Sequence, residues 1–420
     1  MHQIFTFILF IVFIPQGYYG QTTPFNATNY ARTHRCVWSA CNVSGYPSSF
    51  LGYAVDCCVL GVPLNYAQPG RTISSAMTRL RPIQASNQTN VLFILSGGPG
   101  ESGWNLFYTA MYSIPASAGI TIILPDHRGT GLSTALSCDN NGSQNISVAC
   151  IKYLLSKWGT HGLDQFSITA AAHDLSVQIQ SYQADYTGRV GVFAVSYGTL
   201  WLDRFLQIYP NVVQSAVMDG VFNPIITSDS RTDPLTNSVG EDFLDHCQLQ
   251  PSCSQFFSTE EPTNPATVVS SDLPVLLHSQ VLNYHITQSE TWLAVNESEI
   301  TAQTFNHWHN STIISRKYPS NYFALRAPWP KYPLDQYYGQ YAKNSQVLML
   351  SGQLDPSTVF QQASCLAAIT TKTRKFYAIP LAGHVTVDMA QVSYLCPLTL
   401  TLSWLFPALF PPSWSDTQCI

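Results

Sequence analysis

A serine hydroxyl becomes a useful nucleophile only when a neighbouring base takes its proton, and that base needs an acid to fix its tautomer and stabilise its charged form. Three residues of this 420-residue chain are spaced for that task. Ser196 lies in Ala194-Val195-Ser196-Tyr197-Gly198, Asp355 in Gly352-Gln353-Leu354-Asp355-Pro356, and His384 in Leu381-Ala382-Gly383-His384. The order is nucleophile, acid, base. Two backbone N–H groups complete the set: that of Tyr197, just after the serine, and that of Gly98 in Gly97-Gly98-Pro99-Gly100, both suited to an oxyanion. The chemistry these residue types support is acyl transfer through a covalent acyl intermediate on Ser196. Asp355 precedes Pro356, and a helix cap is the alternative reading for it.

Each of these residues follows an apolar run that reads as a buried strand. Val190 to Val195 is uninterrupted and valine-rich, as a strand covered on both faces of a parallel sheet should be. After Ser196 the period changes: Leu200, Trp201, Phe205, Leu206 and Tyr209 recur at helical spacing until Pro210. A serine pinned between a buried strand and a helix is the layout of a nucleophile elbow. Val91 to Leu95 runs into the glycine loop, and Ile120 to Leu124 into Pro125-Asp126-His127-Arg128-Gly129. Ala216 to Val221, Gln346 to Ser351 and Lys375 to Pro380 are further strands, with a helix between Ser167 and Tyr182. Tyr53 to Tyr66 reads as an opening hairpin, Met77 to Leu80 as a short strand, and Leu398 to Pro412 as a closing helix against the sheet. Strands alternating with helices imply an α/β fold whose mostly parallel central sheet is flanked by helices. The alternation lapses between Phe222 and Asn344. We therefore expect a signal peptide over 1–20, a core over 21–221, an inserted cap over 222–345 and the rest of the core over 346–420.

Within that frame Asp126 and Arg128, two apart in a glycine-rich turn, are expected to pair with each other and hold the loop without a chemical step. His307 and His309 lack nearby acidic or cysteine ligands and read as surface histidines rather than a metal site.

Composition bounds the partners and the compartment. There are 19 Lys and Arg against 24 Asp and Glu, with no basic run, so no nucleic-acid partner is expected. Ile4 to Ile14 is apolar but too short for a membrane span, and is the right length for a signal peptide. Seven N-x-Ser/Thr sequons, at Asn26, Asn42, Asn87, Asn141, Asn145, Asn296 and Asn310, point to N-linked glycans and the secretory or lysosomal lumen. Eleven cysteines fit an oxidising compartment, with Cys138–Cys150 and Cys247–Cys253 as local pairs and one thiol left over.

Gly-Gly-Pro-Gly after one strand, Asp126-His127-Arg128-Gly129-Thr130-Gly131-Leu132-Ser133 after the next, Ala172-His173-Asp174-Leu175 on a helix, Val195-Ser196-Tyr197-Gly198-Thr199 at the elbow and Met218-Asp219-Gly220-Val221 beyond it resemble the α/β-hydrolase serine peptidases of the proline iminopeptidase and tripeptidyl aminopeptidase family. The resemblance covers most of Tyr53 to Trp404. It implies cofactor-free removal of residues from peptide N-termini, with Ser196 as nucleophile, Asp355 as acid and His384 as base. Ala194 stands where the family has glycine, and Ser96 where many members have histidine, which bears on the substrate more than on the reaction.

Such an activity requires an acidic group to hold the substrate's ammonium. Glu241, Asp242, Glu260, Glu261 and Glu290 qualify by location, and sequence places none of them in the site. A carboxylesterase or lipase with the same triad, and a non-catalytic binding protein of the same fold, remain the competing readings.

Overall fold

The computed structural model describes residues 25–41, 46–84, 90–255, 278–315, 322–389 and 395–411. The signal region, Asn42, Asn87, Glu260 and Glu261 lie outside the described residues. A nine-stranded sheet forms the centre: β1 (Ser49–Phe50), β2 (Tyr53–Pro63), β3 (Thr72–Pro82), β4 (Asn90–Leu95), β5 (Ile120–Pro125), β6 (Val190–Val195), β7 (Ser215–Asp219), β8 (Val347–Gly352) and β9 (Arg374–Ile379). Their spatial order is β1-β2-β3-β5-β4-β6-β7-β8-β9. The first three strands and the β3–β5 pairing are antiparallel, and β5 through β9 pair in parallel. β2 and β3 are full-length partners: β2 is a single strand where a hairpin over Tyr53–Tyr66 was expected, and β3 is longer than the short strand expected at Met77–Leu80. β3 carries polar residues along its length, whereas β2 is largely apolar with Asp56 its one charged residue, and an antiparallel ladder joins them.

Alternate residues of β6 divide between two cores. Val190, Val192 and Ala194 pack on one face with helix α1 (Ile168–Gln183) and helix α2 (Tyr197–Ile208), while Phe193 and Val195 pack on the other with Leu402 and Leu405. Those leucines belong to a closing helix, Leu395–Leu405, which lies so near β6 that a Cβ on Gly191 would sit 2.9 Å from Leu405 Cδ2. The α1 helix starts where Ser167 caps the Ala170 N–H, and α2 ends just before Pro210.

Between β7 and β8 the described residues form helices, chiefly α3 (Thr232–Gln248) and α4 (Gln280–Ile286), and contribute no strand to the sheet. The local disulfides Cys138–Cys150 and Cys247–Cys253 form, and Cys36–Cys58 and Cys41–Cys57 tie the N-terminal segment to β2. Cys396 is also disulfide-bonded, and Cys365 is free and exposed. Among the described residues no helix is long and apolar enough to cross a membrane.

The expected Asp126–Arg128 pair does not form. The two side chains leave the turn in different directions. Arg128 is fully buried against Asp174 of α1, with two hydrogen bonds of 2.7 and 2.6 Å, and it also donates to the carbonyls of Leu64 and Gln165. Tyr66 adds a 2.6 Å bond to Asp174. Asp126 instead accepts the N–H groups of Gly103 and Leu132, and burial pushes its carboxyl up to about 7. The arginine network joins the end of β2, the loop after β5 and α1 with every charge satisfied. Truncating one partner leaves the other charge buried and unpaired. Asp174→Ala is therefore expected to lower unfolding free energy by about 3–5 kcal/mol, measured by urea denaturation, and Arg128→Met/Asp174→Leu by much less.

Candidate active site

The sheet order itself selects where a site forms. From β4 the chain moves to β5 on one side and later returns to β6 on the other, so a crevice opens beyond the C-terminal ends of β4 and β6. The loops that leave those two ends carry Gly98 and Ser196. They meet closely: a Cβ on Gly97 would lie 2.9 Å from Ser196 Cβ, and one on Gly198 would lie 2.7 Å from the carbonyl oxygens of Leu95 and Ser96. Only hydrogen fits at these two positions.

Ser196 has φ +55° and ψ −129°, a conformation that L-residues rarely hold. It is the N-cap of α2, yet its hydroxyl makes no cap hydrogen bond, which leaves the oxygen free for other work. The turn is clamped by Ser196 N–H to the Asp219 carbonyl at 3.0 Å and by the Thr199 hydroxyl to the Ser196 carbonyl at 2.7 Å. Tyr197 opens the helix, so its N–H belongs to the first turn, where backbone donors lack intrahelical partners.

His384 and Asp355 are brought together although 29 residues separate them. Nδ1 of His384 lies 3.0 and 2.9 Å from the two Asp355 oxygens. Asp355 is fully buried and also accepts from the Ser357 and Thr358 N–H groups and from the Thr358 hydroxyl, at 2.7, 2.9 and 2.7 Å. It thus caps the following backbone as the sequence allowed, and holds the imidazole as well. Leu381 and Val385, on either side of His384, have φ +56° and +62°. With Ser196 they account for three of the five non-glycine residues at positive φ among the described residues.

The histidine loop is anchored by a residue that sequence alone did not single out for the site. Asp219, at the end of β7, accepts the N–H groups of Thr386 and Val387 at 2.8 and 2.9 Å. Burial pushes its carboxyl up to about 6 against the opposing pull of those bonds. A carboxylate closing the strand next to the elbow strand was the available signal.

Ser196, Tyr197, Gly98 and His384 line one cavity of about 500 Å³. Its upper wall comes from the segment between β7 and β8, through Asn283, Tyr284 and Tyr322, and its acidic groups are Glu101 and Asp229. No Lys or Arg is among its described lining residues. Of the carboxylates that qualified by location, the described ones lie elsewhere. Glu241 and Asp242 are exposed on α3, and Glu290 is buried in an ion pair with Arg204 and a hydrogen bond to Tyr332, both 2.8 Å. Glu101 follows Gly100 directly, so its adjacency to the glycine loop was legible; Asp229 had no comparable signal. His278 sits beside Glu101, and burial pushes its imidazole down while Glu101 opposes the shift. His307 is exposed, and His309 bonds Ser315 and pairs with Asp233. A separate void of about 30 Å³ on the opposite face, between Ile94, Phe193, Val195 and Leu402, is apolar and too small for a substrate.

Residues 90–256 match a family described as the alpha/beta hydrolase fold, a span that includes Gly98, Ser196 and Tyr197 and ends before Asp355 and His384. The chain has the α/β-hydrolase fold. It is 26% identical over 212 residues to a protein of Escherichia coli (strain K12) called the putative hydrolase YuaR, covering 44% of this chain and 40% of that one, so it spans less than half the length of that relative. Similar solved structures include a thermophilic esterase from Thermogutta terrifontis, at 15% identity and TM-score 0.40 over 84% of this chain and 99% of that one. The epoxide hydrolase VrEH1 from Vigna radiata is similar at 15% identity and TM-score 0.39, over 85% and 98%. The peroxisomal alpha-beta-hydrolase Lpx1 from Saccharomyces cerevisiae is similar at 10% identity and TM-score 0.42, over 91% and 92%. Within the hydrolase fold, the elements after β4, β6, β8 and β9 bring a hydroxyl, an imidazole with a buried carboxylate behind it and two N–H bearing residues to one crevice. These are the residue types that acyl transfer through a serine uses.

Proposed function

We propose that the protein is a serine hydrolase of peptides with a free amino terminus, acting from the N-terminal end through an acyl-enzyme. Ser196 attacks the scissile carbonyl and His384 takes its proton. Asp355 holds the imidazole in the tautomer that leaves Nε2 free to accept, and stabilises its cation. The N–H groups of Gly98 and Tyr197 receive the oxyanion. The proton on His384 then passes to the leaving amine, and water repeats the sequence to release the acid. The segment 222–345 acts as a cap whose inner wall decides what reaches Ser196.

The single observation that carries this reading is the uncapped Ser196 hydroxyl, on a strained turn, facing a cavity that also holds the Asp355-bound His384. Preference for an amine over a neutral acyl chain rests on Glu101 and Asp229 in a cavity with no described Lys or Arg. A peptide ammonium entering it would meet charge of the opposite sign. Secretion is supported by the disulfides and by Asn26, Asn141, Asn145, Asn296 and Asn310, the described sequon asparagines, which are all exposed.

The test is hydrolysis of short peptidyl arylamides, each with a free and an N-acetylated terminus, alongside acyl esters. Faster cleavage of the free-amine peptides supports the reading; ester hydrolysis far exceeding every amide would replace it with an esterase. Glu101→Gln is expected to lower kcat/KM for free-amine peptides by roughly 10- to 100-fold, the range of a charge-assisted hydrogen bond, mainly through KM. The N-acetylated partners should change less than twofold, and an equal loss on both would remove Glu101 from amine recognition.

A further inference from the structure

The glycine loop is gripped from two sides. Beneath it, Gly97 abuts Ser196. Above it, the Asn283 side-chain amide donates to the Pro99 carbonyl at 2.8 Å, and the Ser279 N–H donates to the Gly100 carbonyl at 2.7 Å. Glu101 and His278 add an isolated antiparallel bridge. The approach is so close that a Cβ on Gly100 would collide with the Ser279 carbonyl oxygen. Both gripping residues come from the cap, at and just before α4.

That grip is itself anchored to the core. The Ser279 hydroxyl donates to the Leu136 carbonyl at 2.9 Å, and the Val281 N–H donates to the Gln144 side-chain oxygen at 3.0 Å. Ser279 is fully buried, while Asn283 is half-buried and lines the cavity. A run with three glycines has broad freedom in φ and ψ, so the aim of an N–H within it is set by what holds the neighbouring carbonyls. Gly98, at φ +105°, is the exposed member of the run and lines the cavity together with Pro99.

We propose that Asn283 is a positioning residue for the oxyanion hole: by holding the Pro99 carbonyl it fixes the direction of the Gly98 N–H. The cap then does more than select substrate, because the donor set for the oxyanion is complete only with α4 seated on the loop. This inference rests on the hydrolase reading of Ser196 and Gly98 given above.

The experiment measures two rates on the full chain. Asn283→Ala should lower kcat for a peptidyl arylamide about tenfold, less than the 10²–10³-fold typical of deleting an oxyanion donor outright, with KM changed less than twofold. A fluorophosphonate, which has no peptide part but also builds charge on an oxygen as Ser196 attacks it, should label Ser196 about tenfold more slowly. Asn283→Gln, with a donor and cavity space for its extra methylene, should recover most of both rates. If the alanine variant does not fold, Asn283→Ser, too short to reach Pro99, gives the same readouts. Unchanged labelling in a folded variant, or a loss confined to KM, overturns the proposal and leaves the hydrolase reading standing. A wild-type chain that does not label at all overturns both.

Discussion

Replacing Ser196 with alanine is expected to reduce turnover by on the order of 10⁶-fold while the protein stays folded. The size follows from the chemistry. Without the hydroxyl no acyl-enzyme forms, and what remains is attack by water on a carbonyl polarised by the Gly98 and Tyr197 N–H groups, which alone sustain only a small part of the acceleration. The turn should survive, because it is clamped by backbone groups and the Thr199 hydroxyl, and the Ser196 hydroxyl caps nothing. Alanine keeps a Cβ at φ +55°, so the strain stays and the melting temperature should shift little. Initial rates on a peptidyl arylamide, with fluorophosphonate labelling and thermal melting on the same preparation, check both halves. Retention of more than about one part in a hundred of the turnover would place the nucleophile elsewhere.

Asp355→Asn is expected to lower kcat about 10⁴-fold near neutral pH. Asp355 accepts from the Ser357 and Thr358 N–H groups, the Thr358 hydroxyl and His384 Nδ1, all within 3.0 Å. An asparagine has one acceptor oxygen and one NH₂. If the oxygen stays with the backbone donors, the NH₂ faces Nδ1 and selects the imidazole tautomer whose Nε2 carries the proton, which cannot receive one from Ser196. Asp219 does not substitute: its two oxygens are committed to the Thr386 and Val387 N–H groups, and it holds the loop rather than the ring. The expected signature is a collapse in kcat with KM nearly unchanged, recovering in part as pH is raised. A loss below tenfold would show that Asp355 serves mainly as a cap for its own turn.

The parallel strands were legible because a strand buried on both faces is near-continuously apolar, as Val190–Val195 is throughout and Ile120–Pro125 is at every position but Thr121. β3 was not legible at full length, since its polar residues carry no such mark, and β2 was read as a hairpin because only its pairing with β3 shows it to be a single strand. Cys138–Cys150 and Cys247–Cys253 were legible as short local loops, whereas Cys36–Cys58 and Cys41–Cys57 depend on where β2 runs.

The candidate site divides in the same way. Parallel strands all present their C-terminal ends to one edge, so a serine, an acid and a histidine each placed just after such a strand are bound to approach one another; composition and order alone determined that much. Arg128 against Asp174, Glu101 and Asp229 in the cavity and Asn283 on the glycine loop are different. Each depends on side chains from segments far apart in sequence, and the direction a side chain takes from a turn or the inner wall of a helix is fixed by packing that no local pattern encodes. The sequence by itself determined which residues are of the types that could react; only the tertiary structure decided that Glu101 and Asp229 line the cavity with Ser196 and that Asn283 holds the Pro99 carbonyl.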